Sequence, residues 1–195
     1  MTAVVDVPAL RAKLADLEER LVAHRVVLPP GLDGEALRAL AGEWGFELPI
    51  EVAELYKWHD GFGNWVTPIP SAPTSLATAL ARSRTRRLEV LEGARAGQDW
   101  NPDELWPESW LDLGSGGGIG LVIDCAQPTH EPTRVLNPDW TATDDLSRLP
   151  VGYPQVVARS LTEVVRTWLH LFEIGVYGTG GRGELPDELR LKRIY

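Results

Sequence analysis

Three aspartates, Asp60, Asp112 and Asp124, are the residues of this sequence whose type and setting first suggest chemistry. Brought together in space, they would suit a divalent metal or a hydrolytic site. Taken singly, aspartates at turns and strand ends accept backbone hydrogen bonds, which is their commoner use. His24, His59, His130 and His170 are too scattered to form a ligand-spaced pair. His59-Asp60 could contribute to a metal site, but the pair reads more naturally as a helix end. Cys125 follows the apolar run Leu121-Val122-Ile123, a setting in which a thiol is usually buried and inert. A Ser–His–Asp triad that assembles only in space leaves no local signature and stays open. The string Gly114-Ser-Gly116-Gly-Gly118-Ile-Gly120 resembles a nucleotide loop only in composition. A phosphate-binding loop must open a helix, whereas these glycines lead into Leu121-Val122-Ile123, and no Walker lysine accompanies them. A β-hairpin is the expected structure, and no cofactor or bound metal is expected.

The charge pattern points elsewhere. Between Gln98 and Ser147 ten acidic residues face the single Arg134, so this stretch carries the entire formal charge of −9. Such a segment repels nucleic acid and anionic membrane surfaces and can steer a cationic partner, or it can simply keep the protein soluble. Trp100, Trp106, Trp110 and Trp140 lie within it. Tryptophans among carboxylates suit a docking face, with aromatic anchors and orienting charges, or serve as partly buried loop anchors. The residues expected to bind a partner are Asp99, Trp100, Asp103, Glu104, Trp106, Glu108, Trp110 and Trp140. Arg82, Arg84, Arg86 and Arg87 form a basic cluster without interleaved aromatics, expected to be a solvated helix end rather than a nucleic-acid patch.

The elements that must position these residues are short. Leu10, Leu14, Leu17 and Leu21 give residues 7–24 one apolar helical stripe, too brief for a coiled coil and suited to core packing or a modest dimer contact. Asp33 is the expected N-cap of a helix bearing Leu37, Leu40, Ala41 and Trp44, stopped by Gly45. Residues 46–63 supply a further helix, with Pro49 in its first turn, Val52, Leu55, Tyr56 and Trp58 on its apolar side, and Gly61 as a left-handed stop. Extended pieces follow from Trp65 to Pro73, then a short helix through Leu76 and Leu80 capped by Thr74 or Ser75. Trp110–Leu113 and Leu121–Asp124 read as hairpin strands, and Thr133–Leu136 with Asn137-Pro138 as a third strand and turn. Ser160 and Glu163 form a capping box that opens a helix with Val164, Val165, Trp168, Leu169 and Phe172 buried. Gly175 to Gly183 reads as a linker to an extension of about a dozen residues. No apolar run approaches the roughly 18 residues of a membrane span. No secretion signal is visible and Cys125 is the only cysteine, so a reducing cytoplasm is the expected location.

Leu48-Pro49, Leu55-Tyr56 and Asp60-Gly61 resemble the LP…(hydrophobic-aromatic)…(N/D)-G signature of the SUKH superfamily, whose best-known branch is the Smi/Knr-type cell-wall synthesis regulators. Ser75-Leu76, the glycine-bearing strand pair ending at Asp124, and a final helix opening at Ser160-Leu161 and containing Trp168 follow in the family's order. The resemblance covers residues 33–174, with an N-terminal helix and linker over 1–32 and an extension over 175–195 outside it. It implies a single α+β domain with a central, mainly antiparallel sheet packed by helices. It also implies a protein-binding role that includes bacterial immunity proteins neutralising a partner toxin. The expectation is therefore a non-enzymatic cytoplasmic binding module, monomeric or weakly dimeric, with a protein partner such as a cationic toxin domain and no nucleic acid or membrane. A regulatory scaffold of cell-wall synthesis and a small metal-dependent hydrolase are the alternatives.

Overall fold

A computed structural model describes residues 4–62, 72–116, 119–138 and 153–175. The chain is α+β: helices α1 (Val7–Ala23), α2 (Gly34–Trp44), α3 (Ile50–Trp58), α4 (Leu76–Arg95), α5 (Pro102–Leu105) and α6 (Leu161–Glu173) pack around strands β1 (Trp110–Gly116), β2 (Ile119–Asp124), β3 (Val135–Asn137) and β4 (Gln155–Ala158). The sheet is an antiparallel meander in the order β1-β2-β3-β4, with the expected hairpin joining β1 to β2. Gly117 and Gly118 at its tip lie outside the described residues, as do the extended pieces expected over 65–71, Trp140, and the linker and extension beyond Gly175. Among the described residues, no helix is long and apolar enough to cross a membrane.

One face of the sheet carries the larger core. Leu111, Ile123 and Val135 meet the stripe Leu10, Leu14, Leu17 and Leu21 of α1, Val52, Leu55 and Tyr56 of α3, and Leu161, Val165 and Trp168 of α6. The N-terminal leucine helix is thus core and belongs to the same packed body as the rest. Asp33 caps α2 by accepting from Glu35 N and Ala36 N, and α2 ends at Gly45, as expected. Pro49 stands one residue earlier than expected, as the cap before α3 rather than within its first turn. On α6 the buried stripe includes Leu171, while Leu169 and Phe172 are only partly covered.

Two buried carboxylates make α3 the organising element. The Glu51 carboxylate is 1% exposed and accepts hydrogen bonds from Thr133 N, Leu161 N, Thr162 N and the Thr162 hydroxyl at 2.7–3.2 Å. It thereby supplies acceptors and negative charge to the α6 N-terminus, where free N–H groups and the helix dipole favour both. Ser160 caps the same turn by accepting from Glu163 N, while the Glu163 side chain accepts from Arg159 N, one residue short of the expected box. Glu54 binds Arg11 of α1 at 2.5 Å and Lys57 at 2.8 Å, and these cations, Arg11 foremost, lower its pKa.

The sharpest departure from the sequence reading is α4. Expected to end near Leu80, it runs through the arginine cluster to Arg95. Its first half gives Leu76, Ala79 and Leu80 to the larger core, and Val90 in its second half enters a smaller core on the other face of the sheet.

Candidate partner-binding face

The smaller core is built from the acidic segment. Trp106, Trp110, Leu105, Val90, Val122 and Leu136 are buried together, with Trp100 and Tyr153 partly buried around them. Trp106 and Trp110 meet edge to face at 5.6 Å between ring centroids. Their exposures of 3% and 4% favour the loop-anchor alternative over exposed docking anchors: the strand pairs Trp110–Asp124 and Asp112–Val122 leave a face of the sheet that something apolar must cover, and the tryptophans cover it. Trp100 lies across α4 at Gly93, where an added Cβ would fall 2.0 Å from its ring. A glycine in the last turn of a helix is here what admits the indole.

The arginine cluster holds this layer in place. Arg87 donates to the Pro102 and Trp106 carbonyls and pairs with Asp103 at 2.6 Å. Arg82 pairs with Asp112 at 3.1 Å. Arg82 and Arg87 are therefore not a solvated helix end, because the Pro102 and Trp106 carbonyls and the buried carboxylate require cations there, while Arg84 is exposed and Arg86 pairs with Glu89 at the surface. Burial raises the Asp112 pKa and Arg82 opposes the rise. Part of the charge that looks unopposed along the chain is thus opposed in space.

A cleft of about 580 Å³ remains where the smaller core is incompletely covered. Its walls are Trp110, Leu136, Tyr153 and Val156, and its charged lining is Asp103, Glu104, Asp124 and Arg134. The short helix α5 presents Asp103 and Glu104. Asn101 caps it by accepting from Asp103 N, and its amide donates to Glu104 Oε1 at 2.7 Å. Tyr153 closes one side by donating to the Leu105 carbonyl at 2.6 Å, and burial raises its phenol pKa. Asp99 and Glu108 are exposed beside this region. Of the residues expected to bind a partner, Asp103, Glu104 and Trp110 line the cleft, Trp106 lies in the core beneath, Trp100 packs on α4, and Trp140 lies outside the described residues.

The candidate catalytic aspartates are put to separate uses. Asp60 accepts from Leu76 N at 2.7 Å and so caps α4, Asp112 faces Arg82, and Asp124 accepts from the Ser109 hydroxyl and Ala126 N. No metal-ligating group of three or more histidine, cysteine or carboxylate side chains occurs among the described residues. His59 Nδ1 donates to the Pro29 carbonyl, and its ring stands edge-on to Trp58. His24 packs on Phe172, and His170 lies beside Glu173. Burial pushes the Cys125 thiol pKa well above its ordinary value, which suppresses the thiolate.

The signature residues of the helical wedge have structural work. Leu55 and Tyr56 are buried, Leu48 packs against the larger core, and Gly61 sits at φ +84°. An added Cβ on Gly61 would lie 2.6 Å from the Thr74 carbonyl carbon, so close backbone approach as well as φ demands glycine. Helix α3 itself closes earlier, at an extended His59. Sequence reasoning missed Glu51, β4 and α5; an acidic residue in a first helical turn was the only available sign of Glu51. No family model matches the chain, and no curated protein matches it.

Proposed function

We propose that this chain is a non-enzymatic protein-binding module of SUKH type, acting as an immunity protein that holds a cationic toxin domain through the acidic face around α5 and β4. The observation that carries this reading is the cleft: an aromatic and aliphatic wall with Glu104 and Asp124 on its lining against the single Arg134, and Asp103 there already paired with Arg87. Apolar area gives a docked side chain its energy, and the carboxylates select its sign. The likeness of the Leu48-Pro49 to Asp60-Gly61 stretch to the SUKH signature supports the family assignment. The separate uses of Asp60, Asp112 and Asp124 support binding over hydrolysis.

The test is association with a protein encoded beside this chain, followed as salt rises. Screening shortens from roughly 10 Å at 0.1 M to about 3 Å at 1 M. The association rate is expected to fall steeply while dissociation changes little; salt-independent association would remove the acidic face from the reading. Elemental analysis of the purified protein addresses the chemistry, since stoichiometric, tightly held zinc or manganese would overturn a binding-only role.

A further inference from the structure

The two edges of the sheet are finished differently. On β1, Asp112 N donates to the Ser83 hydroxyl at 2.8 Å, and the Leu113 carbonyl accepts from Thr74 N at 2.8 Å and from the Thr74 hydroxyl at 3.2 Å. The centre of that edge is occupied by α4 and by the segment leading into it. At the other edge β4 pairs with β3 along one side, and among the described residues no strand pairs with its outer side. Exposed edges are usually guarded by charge, proline or a bulge directed outward. Pro154 precedes this edge and a register shift at Val157 bulges it, but the strand Gln155-Val156-Val157-Ala158 itself carries no charge, and Val156 is 44% exposed.

Val156 also lines the acidic cleft. Register places it beside Leu136, which pairs with Val122, so the outward side chain of this edge lies on the same face as the tryptophan core. We propose that β4 is a docking edge: the partner adds an extended segment to it and directs a lysine or arginine past Val156 into the cleft. This mode rests on the protein-binding reading above and specifies its geometry. An added strand offers main-chain hydrogen bonds for affinity and alternate side chains for selection, and the shift at Val157 confines the regular part of the edge to Gln155 and Val156. Glu104 and Asp124 set the sign of the selected side chain. Because β4 has only four residues, the ladder alone is short and the cleft must supply much of the binding.

The experiment is amide hydrogen exchange of the full chain with short synthetic peptides, one alternating valine with arginine and one alternating valine with glutamate. The basic peptide is expected to slow exchange within residues 155–158 on the order of tenfold, and the acidic peptide to leave it unchanged. Val156→Lys should abolish the protection, and Glu104→Gln should weaken it while leaving unliganded exchange as it was. Protection confined to residues 101–107 would overturn edge docking while preserving the acidic-face reading. Equal behaviour of the two peptides would overturn both. Residues 155–158 already fully protected without peptide would show the edge covered by the chain itself and overturn the proposal.

Discussion

The two faces of the sheet are packed by different means. On the α6 side, mostly aliphatic side chains from α1, α2, α3, α6 and the first half of α4 interlock, and the buried carboxylates Glu51 and Glu54 tie α3 to α6 and α1. On the α4 side, tryptophans from short connections form the core and arginine side chains fasten it by reaching carbonyls and carboxylates. The first arrangement buries the Glu51 carboxylate among its donors; the second borders a cleft. On the proposed reading, stability rests on one face and recognition on the rim of the other.

The largest effects should come from the polar group on which the closed face depends. Glu51→Ala leaves three backbone N–H groups and a hydroxyl without their acceptor. At the ordinary penalty for orphaned buried donors, the loss should be about 3–5 kcal/mol in denaturant unfolding. A loss below about 1 kcal/mol would mean that water replaces the carboxylate and that α3 is not the organiser. Trp106→Ala should cost a similar amount, about 3–5 kcal/mol, through cavity formation. The two variants should differ in kind: hydrogen exchange should rise throughout in Glu51→Ala, but first around α5 in Trp106→Ala. Identical exchange patterns would show a single cooperative unit and erase the distinction between the faces.

Next in size is Gly61→Val, at the joint between α3 and α4. The left-handed backbone and the 2.6 Å approach to Thr74 act together, and strain of this kind costs about 1–3 kcal/mol. Unchanged thermal stability would show that the segment entering α4 can move aside, and that Asp60 does not need its present position to cap the helix.

These positions also mark how far a sequence can be read. The stripes of α1 and the final helix were legible because their burial follows helical period, and the hairpin because its glycines stand between apolar runs. The length of α4 was not legible: apolar residues thin out after Leu80, and what meets its arginines is a set of acceptors on and just after α5, the Pro102 and Trp106 carbonyls and Asp103. Glu51 was illegible for a related reason, since its partners lie 82 to 111 residues away. The acidic segment was legible as a charge pattern but not as a surface. Alternation cannot reveal that Trp106 and Trp110 are needed to cover a sheet face, nor that Arg87 already answers Asp103.

Acid titration sharpens the comparison because the two faces carry carboxylates shifted in opposite directions. Glu54 on the closed face is lowered by Arg11 and Lys57, so its contribution is present above its unfolded pKa of 4.5 and is lost as pH falls through its lower folded value. Asp112 on the cleft side is raised by burial despite Arg82, so its contribution is present below its unfolded value of 3.8 and is lost as pH rises through the higher folded one. Relative to the native chain, Asp112→Asn should therefore gain stability as pH rises from about 3 upward, whereas Glu54→Gln should lose it. Unfolding curves across this range that run parallel for the two variants would contradict the opposed shifts.

The smallest effect on stability should accompany the most selective effect on binding. Asp99, Glu104 and Glu108 are exposed at the rim, so changing all three to their amides should alter unfolding by less than about 0.5 kcal/mol. Asp103 is left in place because its bond to Arg87 holds α5 against α4. With a cationic partner, the association rate at low salt should fall on the order of tenfold, and the residual salt dependence should flatten, because long-range attraction acts on encounter rather than on the formed complex. Trp106→Ala is the informative counterpart. If the indole were a contact residue it would raise dissociation without unfolding anything; buried in the smaller core, it should disturb stability and binding together. A triple-amide variant that associates at the native rate would reduce the rim to solvated surface, leaving the apolar wall and the β4 edge as the remaining basis for recognition.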